Sequence, residues 1–67
     1  MTIGESIKKL RNQRGLTQAQ LATVIGVHTC QISTWETGRM FPSVLNCITL
    51  ADVLGVTLDE LVGRNKK

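Results

Sequence analysis

The stretch Thr17-Gln18-Ala19-Gln20-Leu21-Ala22-Thr23-Val24-Ile25-Gly26-Val27-His28-Thr29-Cys30-Gln31-Ile32-Ser33-Thr34-Trp35-Glu36 decides how this chain folds. It reads as two short helices joined at Gly26. Thr17 and Gln20 have the spacing of a capping box, in which the hydroxyl caps the first turn and the amide bonds back to the cap. Leu16 and Leu21 bracket that start as a hydrophobic staple, and Val27 and Ile32 repeat the staple spacing around His28. Gly26 supplies a backbone that can end a helix within one residue. Ile32 and Trp35, three apart, give the second helix one apolar edge. Its other edge, Thr29, Cys30, Ser33, Thr34 and Thr37, is small, polar and uncharged. Such a pair of helices suits insertion of the second into a DNA major groove.

Working outward, Thr17-Gln18…Leu21-Ala22…Gly26-Val27…Ile32-Ser33…Trp35-Glu36-Thr37-Gly38-Arg39…Pro42-Ser43 resembles the helix-turn-helix family of phage repressors and Cro proteins, the XRE family. The resemblance runs from about Ile3 to Val62. It implies an all-α, compact five-helix bundle of the lambda-repressor-like DNA-binding type. It also implies a sequence-specific double-stranded DNA-binding transcriptional regulator, most simply a repressor. Helix 29–36 would read the major groove, and a homodimer would occupy paired half-sites.

Residue roles follow from the same resemblance. Thr29, Cys30, Ser33 and Thr34 stand where relatives touch base edges. Many relatives place Gln, Arg, Asn or Lys there, whereas Ser and Thr pair ambiguously and a thiol is a weak donor. Thr methyls and the Cys30 side chain packing on thymine methyls, with reading of DNA shape, are then expected. Gln18 stands where relatives hold a phosphate, and free amides at a helix start favour an anion there. Arg39 matches the loop cation that relatives place on the backbone. His28 occupies a position usually held by a small capping hydroxyl. A phosphate contact and an ordinary surface histidine both remain open for it, and Gln31 is placed to satisfy the helix start. Relatives with Arg and Glu at the places of Arg11 and Glu36 join them in a structural ion pair. Val56, Leu58 and Leu61 mark the expected dimer surface.

At 67 residues the chain has room for one small domain, assigned to 1–63, with 64–67 a basic tail. A chain this short buries only about 60% of its unfolded surface. Two cysteines, Cys30 and Cys47, do not make a disulfide framework and read as reduced thiols of a cytoplasmic protein; the resemblance implies a bacterial or phage origin. No apolar run approaches a membrane span, and no signal peptide opens the sequence. The net charge of +3 is unevenly placed. Lys8, Lys9, Arg11, Arg14 and Arg39 face only Glu5 and Glu36 in the first 41 residues. Beyond them, Arg64, Lys66 and Lys67 balance Asp52, Asp59 and Glu60. The excess lies on the helix-turn-helix half, which favours a polyanionic partner.

The remaining helices are legible from caps and periodicity. Thr2 and Glu5 form a capping box for a helix over 3–14, with Ile3, Ile7 and Leu10 inward and Lys8, Lys9 and Arg14 a solvated face. Helices are predicted over 18–25 and 29–36, then a loop through Pro42 in which Phe41 covers the core edge. Ser43 caps a helix over 44–54 that is apolar almost all round, so it must be central to the core or touch a partner. Thr57 and Glu60 box a last helix over 58–62. A protein-interaction module of antitoxin type, using Met40, Leu45 and Val53, is the alternative function. Catalysis or metal binding would have to use His28, Cys30 and Cys47. His28 and Cys30 project to different faces, and structural zinc normally takes four ligands. No enzyme activity, cofactor, metal or small-molecule ligand is expected.

Overall fold

Hydroxyl caps set the starts of four helices in the computed structural model, which describes residues 2–62. Thr2, Thr17, Ser43 and Thr57 each accept from the backbone N–H three residues on, at 3.0–3.2 Å. Glu5, Gln20 and Glu60 return the bond to the caps' own N–H groups at 2.8–2.9 Å. The resulting elements are α1 (Ile3–Gln13), α2 (Gln18–Ile25), α3 (Thr29–Thr37), α4 (Val44–Leu54) and α5 (Leu58–Leu61). Ends differ from expectation by one residue: Arg14 and Val62 are caps, and Thr37 extends α3. The basic tail at 64–67 lies outside the described residues.

The turn between α2 and α3 closes as the sequence requires. Gly26 adopts φ 81°, and the Val27 N–H reaches back to the Ala22 carbonyl at 3.0 Å. A residue with a Cβ is strained there, which is why glycine stands at this corner.

Every helix contributes to one core. Ile7, Leu21, Ala22, Ile32, Trp35, Leu50, Ala51, Leu54 and Leu61 form it, and Ile3, Leu10, Leu16, Ile25, Val27, Cys47, Val53 and Val56 pack against it. Both α1 and α2 pack on α3, while α4 lies against α5, α2 and α1. Gly4 marks a close approach of α1 to the end of α3. A Cβ added there would collide with the Trp35 carbonyl oxygen and stand 2.7 Å from that of Glu36. Nothing in the local pattern around Gly4 announces this.

Two readings are corrected and a third is extended. Phe41 does not cover the core: it is 75% exposed. The Arg39 and Met40 N–H groups bond back to the Thr34 carbonyl at 3.1 and 3.4 Å, and the Met40 and Phe41 side chains stay exposed. Leu61 is completely buried, so it fastens α5 to the core and has no surface to offer a second subunit. Arg14 is more than a solvated charge. Its Nε donates to the Leu54 carbonyl at 2.9 Å, and its Nη2 donates to the same oxygen, satisfying the end of α4.

Candidate nucleic-acid interface

Ile32 and Trp35 anchor α3, with exposures of 0% and 4%. That places Thr29 and Cys30 on the exposed side, with Ser33 and Thr34 half-buried beside them. The four candidate base-contacting residues therefore sit on the side of α3 away from the core, on a ridge of hydroxyls, methyls and one thiol. Thr34 is the most constrained, because its hydroxyl donates to the Cys30 carbonyl at 2.5 Å. A hydroxyl has one proton, so Thr34 can offer another group only a methyl and acceptor lone pairs. Thr29, Cys30 and Ser33 make no comparable bond among the described residues.

The start of α3 is held by Gln31, not by His28. Gln31 Oε1 accepts from the His28 N–H at 3.0 Å, and the imidazole makes no capping bond. His28 is exposed at the corner between α2 and α3.

Glu36 sits at the other end of α3, and its charge is answered inside the molecule. Arg11 Nε donates to Oε2 at 2.6 Å and Nη2 to Oε1 at 3.1 Å, while Gln18 Nε2 donates to Oε1 at 3.0 Å. The carboxylate side chain is 3% exposed. The third arm of Arg11, Nη1, donates to the Leu16 carbonyl at 2.8 Å and so ties the α1–α2 turn to α3. No other acid occurs between Ser6 and Ala51. The whole helix-turn-helix surface is consequently free of exposed carboxylate, which an approaching phosphate backbone would otherwise meet as repulsion.

Gln18 stands in the first turn of α2, half-buried, with one amide proton on Glu36 and a second available. Arg39 is exposed just past α3, its position fixed by the bond from its N–H to Thr34. Gln18 in the first turn of α2, His28 just before α3 and Arg39 just after it are thus polar or basic groups at or near the surface. Of the proposed dimer residues, Leu58 is exposed and Val56 is half-buried against the core. Both thiols are free, and burial pushes the Cys47 thiol up from its ordinary range. Among the described residues, no three of His, Cys, Asp and Glu gather as a metal site, and no helix is long and apolar enough to cross a membrane.

Comparison with known proteins gives the same outline. The helix-turn-helix family model matches residues 7–61. The cryptic phage CTXphi transcriptional repressor RstR of Vibrio cholerae is 36% identical over 96% of this chain and 57% of its own. The immunity repressor protein of Bacillus phage phi105 is 35% identical over 94% of this chain and 44% of its own. The chain thus spans about half the length of these curated relatives. Among solved structures, the P22 c2 repressor protein in complex with synthetic operator 9T superimposes with a TM-score of 0.91. It is 29% identical and covers 97% of this chain and 98% of that one.

Proposed function

The chain belongs to the helix-turn-helix family, and on that premise we propose that it is a sequence-specific double-stranded DNA-binding transcriptional regulator, acting as a repressor in the cytoplasm. The observation that carries this reading is the outer face of α3: uncharged, built of small side chains, and backed by a carboxylate already neutralised by Arg11. Thr29, Cys30 and Ser33 enter the major groove, with thymine methyls as the natural partners of the Thr methyls and the thiol. Thr34 joins them through its methyl. Gln18, His28 and Arg39 grip phosphates on either side, Gln18 through its second amide proton and the free amides of the α2 start.

One module of this size buries roughly 600–1,000 Å² on DNA, too little for tight recognition alone. A homodimer on two half-sites about 34 Å apart removes that limit. The close superposition on the P22 c2 repressor in its operator complex supports duplex DNA as the partner.

Titration against random-sequence duplex over a range of salt tests the phosphate contacts. Affinity must fall steeply and linearly on logarithmic axes as salt rises. A salt-independent or absent interaction would favour the protein-interaction alternative.

A further inference from the structure

Thr37 lies on the same outer face of α3 as Cys30 and Thr34. Cys30 stands two residues before the buried Ile32, and Thr37 stands two after the buried Trp35. At about 100° per residue, each is roughly 200° round the helix from a side chain in the core. Cys30, Thr34 and Thr37 follow the four- and three-residue spacing of a single stripe. Along it Cys30 and Thr37 are exposed and Thr34 is half-buried. The nine residues of α3 give it a length of about 13 Å, close to the width of a major groove at about 12 Å. A helix of that length fits within the groove from first turn to last.

Hydrogen bonds inside the helix fix what the stripe can offer. Thr34 Oγ1 donates to the Cys30 carbonyl at 2.5 Å, and Thr37 Oγ1 donates to the Thr34 carbonyl at 3.1 Å. Each hydroxyl has given its one proton to the backbone, so each threonine presents a methyl and acceptor lone pairs. The Cys30 thiol is only a weak donor. Phosphate oxygens, guanine O6 and N7, and adenine N7 are acceptors, and they find no good donor on this stripe. A methyl group suits it, with an exocyclic amino group nearby. Thymine carries a methyl at C5, with the amino group of its paired adenine across the groove floor. Cytosine methylated at C5 carries the same methyl beside its own N4 amino group.

We propose that Thr37 is a fifth base-reading residue, and that Cys30, Thr34 and Thr37 form a donor-poor stripe that recognises the C5 methyl of a pyrimidine, in thymine or in 5-methylcytosine. The inference rests on the DNA-reading proposal and names the chemical group read at its centre. The rival role for Thr37, two positions before Arg39, is a phosphate contact. Its spent hydroxyl proton argues against that role, because a phosphate oxygen needs a donor.

Two substitutions separate the parts of Thr37. Thr37→Ser deletes the methyl and keeps a hydroxyl able to bond to Thr34, whereas Thr37→Val keeps a methyl and deletes the hydroxyl. Thr37 is exposed, so both variants keep the core, which circular dichroism checks. The probe is the duplex that the native chain enriches from a random pool. It is resynthesised with uracil for each thymine in turn, and with 5-methylcytosine for each cytosine in turn. At several positions the native chain should bind the methyl-bearing base about fourfold more tightly than the methyl-free one, the worth of one buried methyl. Thr37→Ser should lose that preference at one of them and keep it at the others, while Thr37→Val should keep it at all. Weakening by uracil alone assigns the methyl to thymine, and strengthening by 5-methylcytosine alone assigns it to cytosine; either supports the stripe. Equal binding with and without the methyl at every position overturns it, as does a Thr37→Ser variant whose preferences match the native chain. A Thr37→Val variant that binds every duplex more weakly, while Thr37→Ser does not, also overturns it, since that marks a phosphate contact. A native chain that enriches no duplex sinks the DNA reading itself, whereas enrichment without methyl dependence sinks only the stripe.

Discussion

Arg11 of α1 and Glu36 of α3 are 25 residues apart in sequence, yet they close a two-pronged ion pair at 2.6 and 3.1 Å. The pair sets α3 against the rest of the bundle. Removing one partner of a buried pair leaves the other charge unanswered and costs about 3–5 kcal/mol. A domain of this size has only about 3–10 kcal/mol in all, at roughly 0.05–0.15 kcal/mol per residue.

Arg11→Ala should accordingly bring the protein close to unfolding, as a large drop in the urea midpoint. Arg11→Met combined with Glu36→Met should recover more than half of that loss, because no uncompensated charge remains. A double variant as unstable as the single one would mean that geometry, not charge, is what the pair supplies.

Gly4→Ala reverses an ordinary rule. In an open helix, alanine is better than glycine by about 1 kcal/mol. Here the new Cβ meets the Trp35 and Glu36 carbonyls, which are backbone and cannot swing aside. Overpacking of this kind costs about 1–3 kcal/mol. The net effect should be destabilising by chemical denaturation, with α1 displaced from α3. A more stable variant would contradict the close approach.

The two thiols should react at very different rates. Cys30 is exposed, whereas Cys47 is half-buried, its Sγ lies 3.8 Å from the Pro42 carbonyl, and burial pushes its pKa up. Thiolate is the reactive form, so Cys47 should lag Cys30 in a disulfide-exchange assay at neutral pH. Capping Cys30 alone with a bulky reagent should abolish DNA binding without unfolding the chain. Binding that survives would remove Cys30 from the interface.

Arg39→Ala should weaken every duplex by about the same factor and reduce the salt slope by about one, since phosphates look alike. A change in preferred sequence instead would make Arg39 a reader of bases.

What the sequence made legible was local. Thr2, Thr17 and Thr57 announce their helices because a cap and its return bond lie within one turn. Ile32 and Trp35 announce the inner edge of α3 through a three-residue spacing. What stayed hidden depends on residues far apart in the chain. Gly4 approaches the end of α3, and Arg14 reaches a carbonyl 40 residues away, and neither leaves a periodic trace. Phe41 and Leu61 exchanged their expected places because apolar character alone does not say which side of the surface a residue near a helix end will occupy. The pairing of Arg11 with Glu36 came from family resemblance, since no pattern in a single sequence links positions that far apart.

The central claim is that the outer face of α3 reads base edges. It is tested most directly by selecting bound duplexes from a random pool with the native chain and with Thr29→Ala and Ser33→Ala variants. The native chain should enrich a thymine-containing sequence repeated about a helical turn apart, and each variant should shift its preference at the positions it no longer touches. Identical preferences from all three proteins, or no enrichment by the native chain, would contradict it.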